Sequence, residues 1–81
     1  MTESQQVLRL LRDEGTCTVN EVATLSGIPA GRVIAALGCL MRAADVRQDR
    51  LADGIRYAPT DAGRSKVERW EAPAPRGAGR V

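Results

Sequence analysis

The chain has no histidine, no phenylalanine and only one lysine, and its aromatic content is one tryptophan and one tyrosine. Without histidine, the commonest general base of enzymes is missing. The two cysteines, Cys17 and Cys39, lie far apart and form no C-x-x-C pair. Two thiolates fall short of the four ligands a zinc ion usually takes. No glycine-rich phosphate loop follows a strand pattern. The expectation is a protein that is not an enzyme and needs no cofactor or metal. No stretch approaches the length of a membrane span, and no basic-then-apolar leader opens the chain. A cytoplasmic protein with no membrane partner is expected. In that reducing compartment both cysteines should be free thiols; a disulfide within or between chains is the alternative.

The richest segment is residues 18–41, TVNEVATLSGIPAGRVIAALGCLM. Thr18 followed by Glu21 has capping-box spacing, so a helix is expected over Val19–Ser26. Val22 and Leu25 give it an apolar side, and Ser26-Gly27 should break it. Ile28 should plug the turn. Pro29 suits the start of a second helix, because its fixed φ and missing N–H cost nothing there. Val33, Ile34, Leu37, Leu40 and Met41 then recur at helical spacing over Ala30–Ala43. Two helices joined by a short glycine-containing turn make a helix-turn-helix, whose second helix commonly enters a DNA groove.

The flanking segments extend the pattern. Thr2 and Gln5 form a second candidate capping box, Val7, Leu8, Leu10 and Leu11 share a face, and Gly15 can end that helix, giving Glu3–Glu14. Thr16-Cys17 reads as an extended link or minimal strand. Residues 45–52 and 55–58 flank Asp53-Gly54, a hairpin signal because both turn positions then need positive φ. That turn pairs Ala52 with Ile55, Leu51 with Arg56 and Arg50 with Tyr57. Thr60 can cap a last helix, about Asp61–Glu71, with Asp61 at its positive end and Arg64, Lys66 and Arg69 later. Residues 72–81, APAPRGAGRV, are too poor in large apolar side chains to offset their ordering entropy, and a disordered tail is expected after a domain spanning 1–71.

Net charge is +2, with twelve basic residues of which eleven are arginine. Residues 1–27 carry two arginines against Glu3, Asp13, Glu14 and Glu21, whereas residues 28–70 carry eight bases against Asp45, Asp49, Asp53, Asp61 and Glu68. The positive charge therefore follows the second half of the helix-turn-helix. Arginine's planar fork suits phosphates and guanine edges. A GC-rich genome would also favour arginine over lysine, and the same arginines can be solvated charges paired with neighbouring acids.

The order helix, helix-turn-helix, hairpin, helix resembles a winged helix-turn-helix domain. Its fold class is mainly α with a small β-hairpin: a three-helix core, a two-stranded wing over 45–58 and a C-terminal helix. The run Tyr57-Ala58-Pro59-Thr60-Asp61-Ala62-Gly63-Arg64 resembles the close of the wing in compact bacterial regulators of the MarR-like and PadR-like kind. The resemblance implies duplex DNA as partner, with the helix over 30–43 in the major groove. By position it would present Ala30, Gly31, Arg32, Ala35, Ala36 and Cys39, and Arg47, Arg50 and Arg56 would be the wing contacts. It also implies transcription regulation and a homodimer formed by terminal helices. Trp70 and Val67 are the candidates for that interface, and covering the first helix is the other role open to Trp70.

Two departures stand out. The outer side of the second motif helix is small and neutral, with Arg32 as its one bidentate base reader, where readers commonly bring three or four polar side chains. That face would equally suit close packing, so a protein-protein adaptor using the helix over 30–43 is the alternative function. Ala43-Ala44-Asp45 also stands where many relatives carry a glycine that stops the helix.

Overall fold

A computed structural model of the chain describes residues 2–72. The tail expected over 72–81 lies, beyond Ala72, outside them. The elements run α1 (Glu3–Glu14), α2 (Val19–Ser26), α3 (Ala30–Arg42), β1 (Val46–Leu51), β2 (Gly54–Pro59) and α4 (Asp61–Glu71). This is a mainly helical fold with a single antiparallel hairpin.

Local chemistry sets most of the boundaries. At α1, Thr2 Oγ1 accepts from the Gln5 N–H at 3.2 Å while Gln5 Oε1 accepts from the Thr2 N–H at 2.9 Å. Thr18 and Glu21 repeat the exchange at α2, at 3.1 and 2.9 Å. Each box satisfies amides that the helix itself leaves unpaired. Pro29 stands just outside α3 as its cap (φ −57, ψ 144) and is not its first residue.

The end of α3 answers the missing glycine. Ala44 takes the left-handed conformation itself, at φ 62. The Ala44 N–H reaches the Met41 carbonyl at 3.0 Å, and the Asp45 N–H reaches the Leu40 carbonyl at 2.9 Å. That pair of bonds is the Schellman stop, built on alanine where glycine is usual.

The core draws on all four helices and the hairpin: Val7, Leu8 and Leu11 of α1, Val22 of α2, Ile28 of the turn, Val33, Ala36, Leu37 and Leu40 of α3, Val46 of β1 and Val67 of α4. Two of the apolar residues read at helical spacing lie outside this core. Leu25 is 56% exposed and Ile34 58% exposed. Both lie at helical spacing from buried residues, yet the neighbouring helices cover a narrower stripe than the apolar pattern.

The hairpin turns one residue earlier than its Asp-Gly suggests. Leu51 pairs with Gly54, so Ala52 and Asp53 make the turn. Neither has positive φ; only Gly54 does, at 138. The positive-φ demand of the reversal is therefore met by the first residue of β2. Arg56 consequently faces Asp49 in place of Leu51, and Tyr57 faces Gln48 in place of Arg50. Cys17 adds a one-residue bridge at the wing's base: its N–H reaches the Tyr57 carbonyl at 3.0 Å and its carbonyl accepts the Tyr57 N–H at 2.7 Å.

Candidate nucleic-acid interface

The axes of α2 and α3 meet at 112°, within the roughly 90–120° of a helix-turn-helix. The turn is held from both sides. Ser26 Oγ donates to the Val22 carbonyl at 2.6 Å and accepts from the Ile28 N–H at 3.1 Å. Gly27 occupies the left-handed region that ends α2 (φ 75), and Ile28 is buried beneath the bend. No side chain caps α3; the Arg32 N–H bonds the Pro29 carbonyl at 2.9 Å, which leaves the amides of Ala30 and Gly31 for an anion.

At 100° per residue, the buried Val33, Ala36, Leu37 and Leu40 set the outward stripe of α3 along Gly31, Ala35, Gly38 and Arg42. Ile34 flanks it on one side, with Arg32 and Cys39 on the other. Ala30, Gly31, Arg32, Ala35 and Cys39 are exposed, as expected for a groove-facing set. Ala36 is the exception: it is 5% exposed and belongs to the core. Arg42 was the missing member. Its place in the last turn makes it read as a partner for the helix dipole, but it lies on the outward stripe. Its Nη2 approaches Cys39 Sγ at 3.4 Å, and no carboxylate pairs with it among the described residues.

The arginines expected to act together are in different circumstances. Arg32 is held by Glu3 of α1, with Nε 3.2 Å from Oε1 and Nη2 on Oε2. Arg47 lies 3.4 Å from Asp49. Arg50 is exposed and unpaired among the described residues, on the ribbon face it shares with Ile55. Arg56 lies at the wing's base, its Nη2 3.0 Å from Glu21 Oε1, the oxygen that also accepts the Thr18 N–H. Glu21 thus ties the start of α2 to β2, and Arg56 is turned toward that junction. Arg64 pairs with Asp61 at 2.8 Å, and Lys66 Nζ lies 2.6 Å from the buried carboxylate of Asp45.

On α4, Trp70 is 38% exposed, whereas Val67 is fully buried and has no surface to offer a second copy. Both cysteines are free, Cys17 buried and Cys39 exposed. Burial pushes the Cys17 thiol pKa up; the charges of Glu21 and Glu14 add to this, and Arg56 opposes it. Among the described residues no cluster of three metal-ligating side chains forms, and no single helix is long and apolar enough to cross a membrane.

No family model matches the chain, and no curated protein matches it. Solved structures do. BpsR of Bordetella bronchiseptica, whose structure concerns regulation of its DNA binding by 6-hydroxynicotinic acid, is similar over 88% of this chain and 53% of its own, with TM-score 0.79 and 24% identity. MarR of E. coli, in complex with operator DNA, is similar over 85% of this chain and 52% of its own, with TM-score 0.77 and 20% identity. MepR of S. aureus, bound to ethidium bromide, gives 84% and 53%, with TM-score 0.69 and 23% identity. The chain spans about half the length of these neighbours. Its fold is the winged helix-turn-helix of MarR, BpsR and MepR.

Proposed function

We propose that this chain is a cytoplasmic regulator of transcription that binds duplex DNA, with α3 in the major groove and the hairpin as a wing on the adjacent backbone or minor groove. The observation that carries this reading is the outward stripe of α3. It is small enough for close approach to a groove, it ends in Arg42, and among the described residues neither Arg42 nor Arg50 on the wing has a carboxylate partner. Bare amides at the start of α3 suit a phosphate, and Arg32 brings the bidentate fork that reads guanine. Arg47 adds a phosphate contact from the wing, and Ala35 fits beneath the base edges. The similar MarR, solved in complex with operator DNA, supports duplex DNA as the partner.

The protein acts as a homodimer through the exposed end of α4, with Trp70 as the anchor. Exposed aromatics are common anchors of such interfaces. The two α3 helices then address half-sites about one helical turn apart, roughly 34 Å. Binding to mixed-sequence duplex, followed by fluorescence anisotropy over a salt series, tests the reading. A steep log–log slope supports it, and no binding at low salt overturns it. Light scattering of a Trp70→Ala variant tests the dimer: a folded monomer supports the contact, and an unchanged dimer removes Trp70 from it.

A further inference from the structure

We infer that Glu3 sets the DNA affinity of this domain by occupying Arg32, an inference that rests on the DNA-binding reading above. Glu3 stands in the first turn of α1 and Arg32 in the first turn of α3, 29 positions apart in sequence. Their contact is a two-point fork: Nε to Oε1 at 3.2 Å and Nη2 to Oε2. A guanine edge or a phosphate would use the same fork. The carboxylate therefore stands in for the nucleic acid while the protein is free.

The geometry favours exchange over a permanent tie. The Arg32 side chain is 66% exposed, so an incoming acceptor can reach it. A shallow cleft of about 190 Å³, lined by Glu3, Ser4, Arg32, Ala35, Ala36 and Cys39, opens the pair to solvent. Glu3 also has a second attraction, the positive end of α1, so it remains stabilised after Arg32 leaves. Arg32 has no other carboxylate partner among the described residues. Among the described residues Arg42 and Arg50 carry no such partner, so of these three arginines only the fork on α3's first turn is held in check. A duplex that offers a paired acceptor, whether a phosphate or a guanine edge, repays the exchange. Glu3 thereby weakens binding to any duplex.

The test is a two-by-two series: wild type, Glu3→Gln, Arg32→Ala and the double variant, each titrated with mixed duplex over a salt series after thermal melting establishes that it is folded. Glu3→Gln should tighten binding about three- to fivefold, the scale of an exposed ion pair, with the log–log salt slope little changed, because Arg32 reaches the duplex in both proteins. In the Arg32→Ala background the gain should fall below about twofold. Glu14→Gln, at the far end of α1, should leave affinity unchanged. No gain from Glu3→Gln, or an equal gain in both backgrounds, overturns the inference while leaving DNA binding intact. Failure of wild type and Glu3→Gln alike to bind duplex at low salt overturns the DNA reading and this inference with it.

Discussion

Gly63 of α4 packs its bare α-carbon against the carbonyl of Asp45: a β-carbon there would collide with that oxygen and lie 3.1 Å from Leu8 Cδ1. The same carbonyl accepts the Thr60 N–H at 2.9 Å, so it cannot retreat without loosening the cap of α4. Gly63→Ala should therefore cost about 2–3 kcal/mol, the scale of overpacking, and lower the midpoint of thermal unfolding by roughly 10–20 °C. Gly38→Ala is the counterpart. Its β-carbon would meet only Arg42 Nη1, at 3.8 Å, and alanine is the better helix former by about 0.5–1 kcal/mol. That variant should melt higher than wild type. A Gly63→Ala protein as stable as wild type would show that α4 does not sit this close to Asp45.

Ala44 carries the second stability prediction. It holds φ 62, where its β-carbon is unfavourable, and it is exposed, so nothing is lost with its methyl group. Ala44→Gly should stabilise the domain by about 0.5–1 kcal/mol, since glycine adopts the left-handed stop without that strain. Chemical denaturation should show a higher midpoint at unchanged slope. A lower midpoint would mean that α3 ends otherwise.

Sequence spacing reached the elements further than the surfaces between them. Caps such as Thr2 with Gln5 and Thr18 with Glu21 are settled within four residues, so local chemistry suffices to place the helix starts. Whether a helical residue faces inward depends on how neighbours cross. Leu25 and Ile34 are apolar yet exposed, and Ala36 is small yet buried, because the way α1, α2 and α3 pack together decides which stripe is covered. The arginines were hardest to assign for the same reason. Glu21 lies 35 positions from Arg56 and Glu3 lies 29 from Arg32, separations no local pattern encodes. The hairpin turn was displaced by a single backbone angle at Gly54.

The two thiols should separate cleanly. Cys39 is exposed beside the outward stripe of α3 and Cys17 is buried at the wing's base. A thiol reagent should modify Cys39 alone in the folded protein and both in denaturant, and bound duplex should slow its reaction with Cys39. The raised pKa of Cys17 adds a pH dependence. The fold favours the neutral thiol, so the unfolded chain releases that proton first as pH rises. This contribution to stability is complete below the ordinary thiol range and declines as pH rises above it. Cys17→Ala should be less stable at neutral pH and lose less on going to pH 10. An alkaline decline as steep as in wild type would assign it to other groups.

The wing and α3 arginines divide by their partners, and DNA binding should divide the same way. Arg42 and Arg50 have no carboxylate among the described residues, so replacing either with alanine removes a free positive charge. Each variant should bind duplex roughly three- to tenfold more weakly and reduce the salt slope by about 0.9. Arg56 is different, because its guanidinium is spent on the Glu21 oxygen that also caps α2. Its side chain keeps only about a quarter of its surface open. Arg56→Ala should cost about 0.5–1 kcal/mol of stability, the scale of a partly exposed pair, and leave duplex affinity nearly unchanged. If Arg56→Ala weakens binding as much as Arg50→Ala does, the guanidinium leaves Glu21 in the complex. The wing must then close over the backbone from its base as well as its tip.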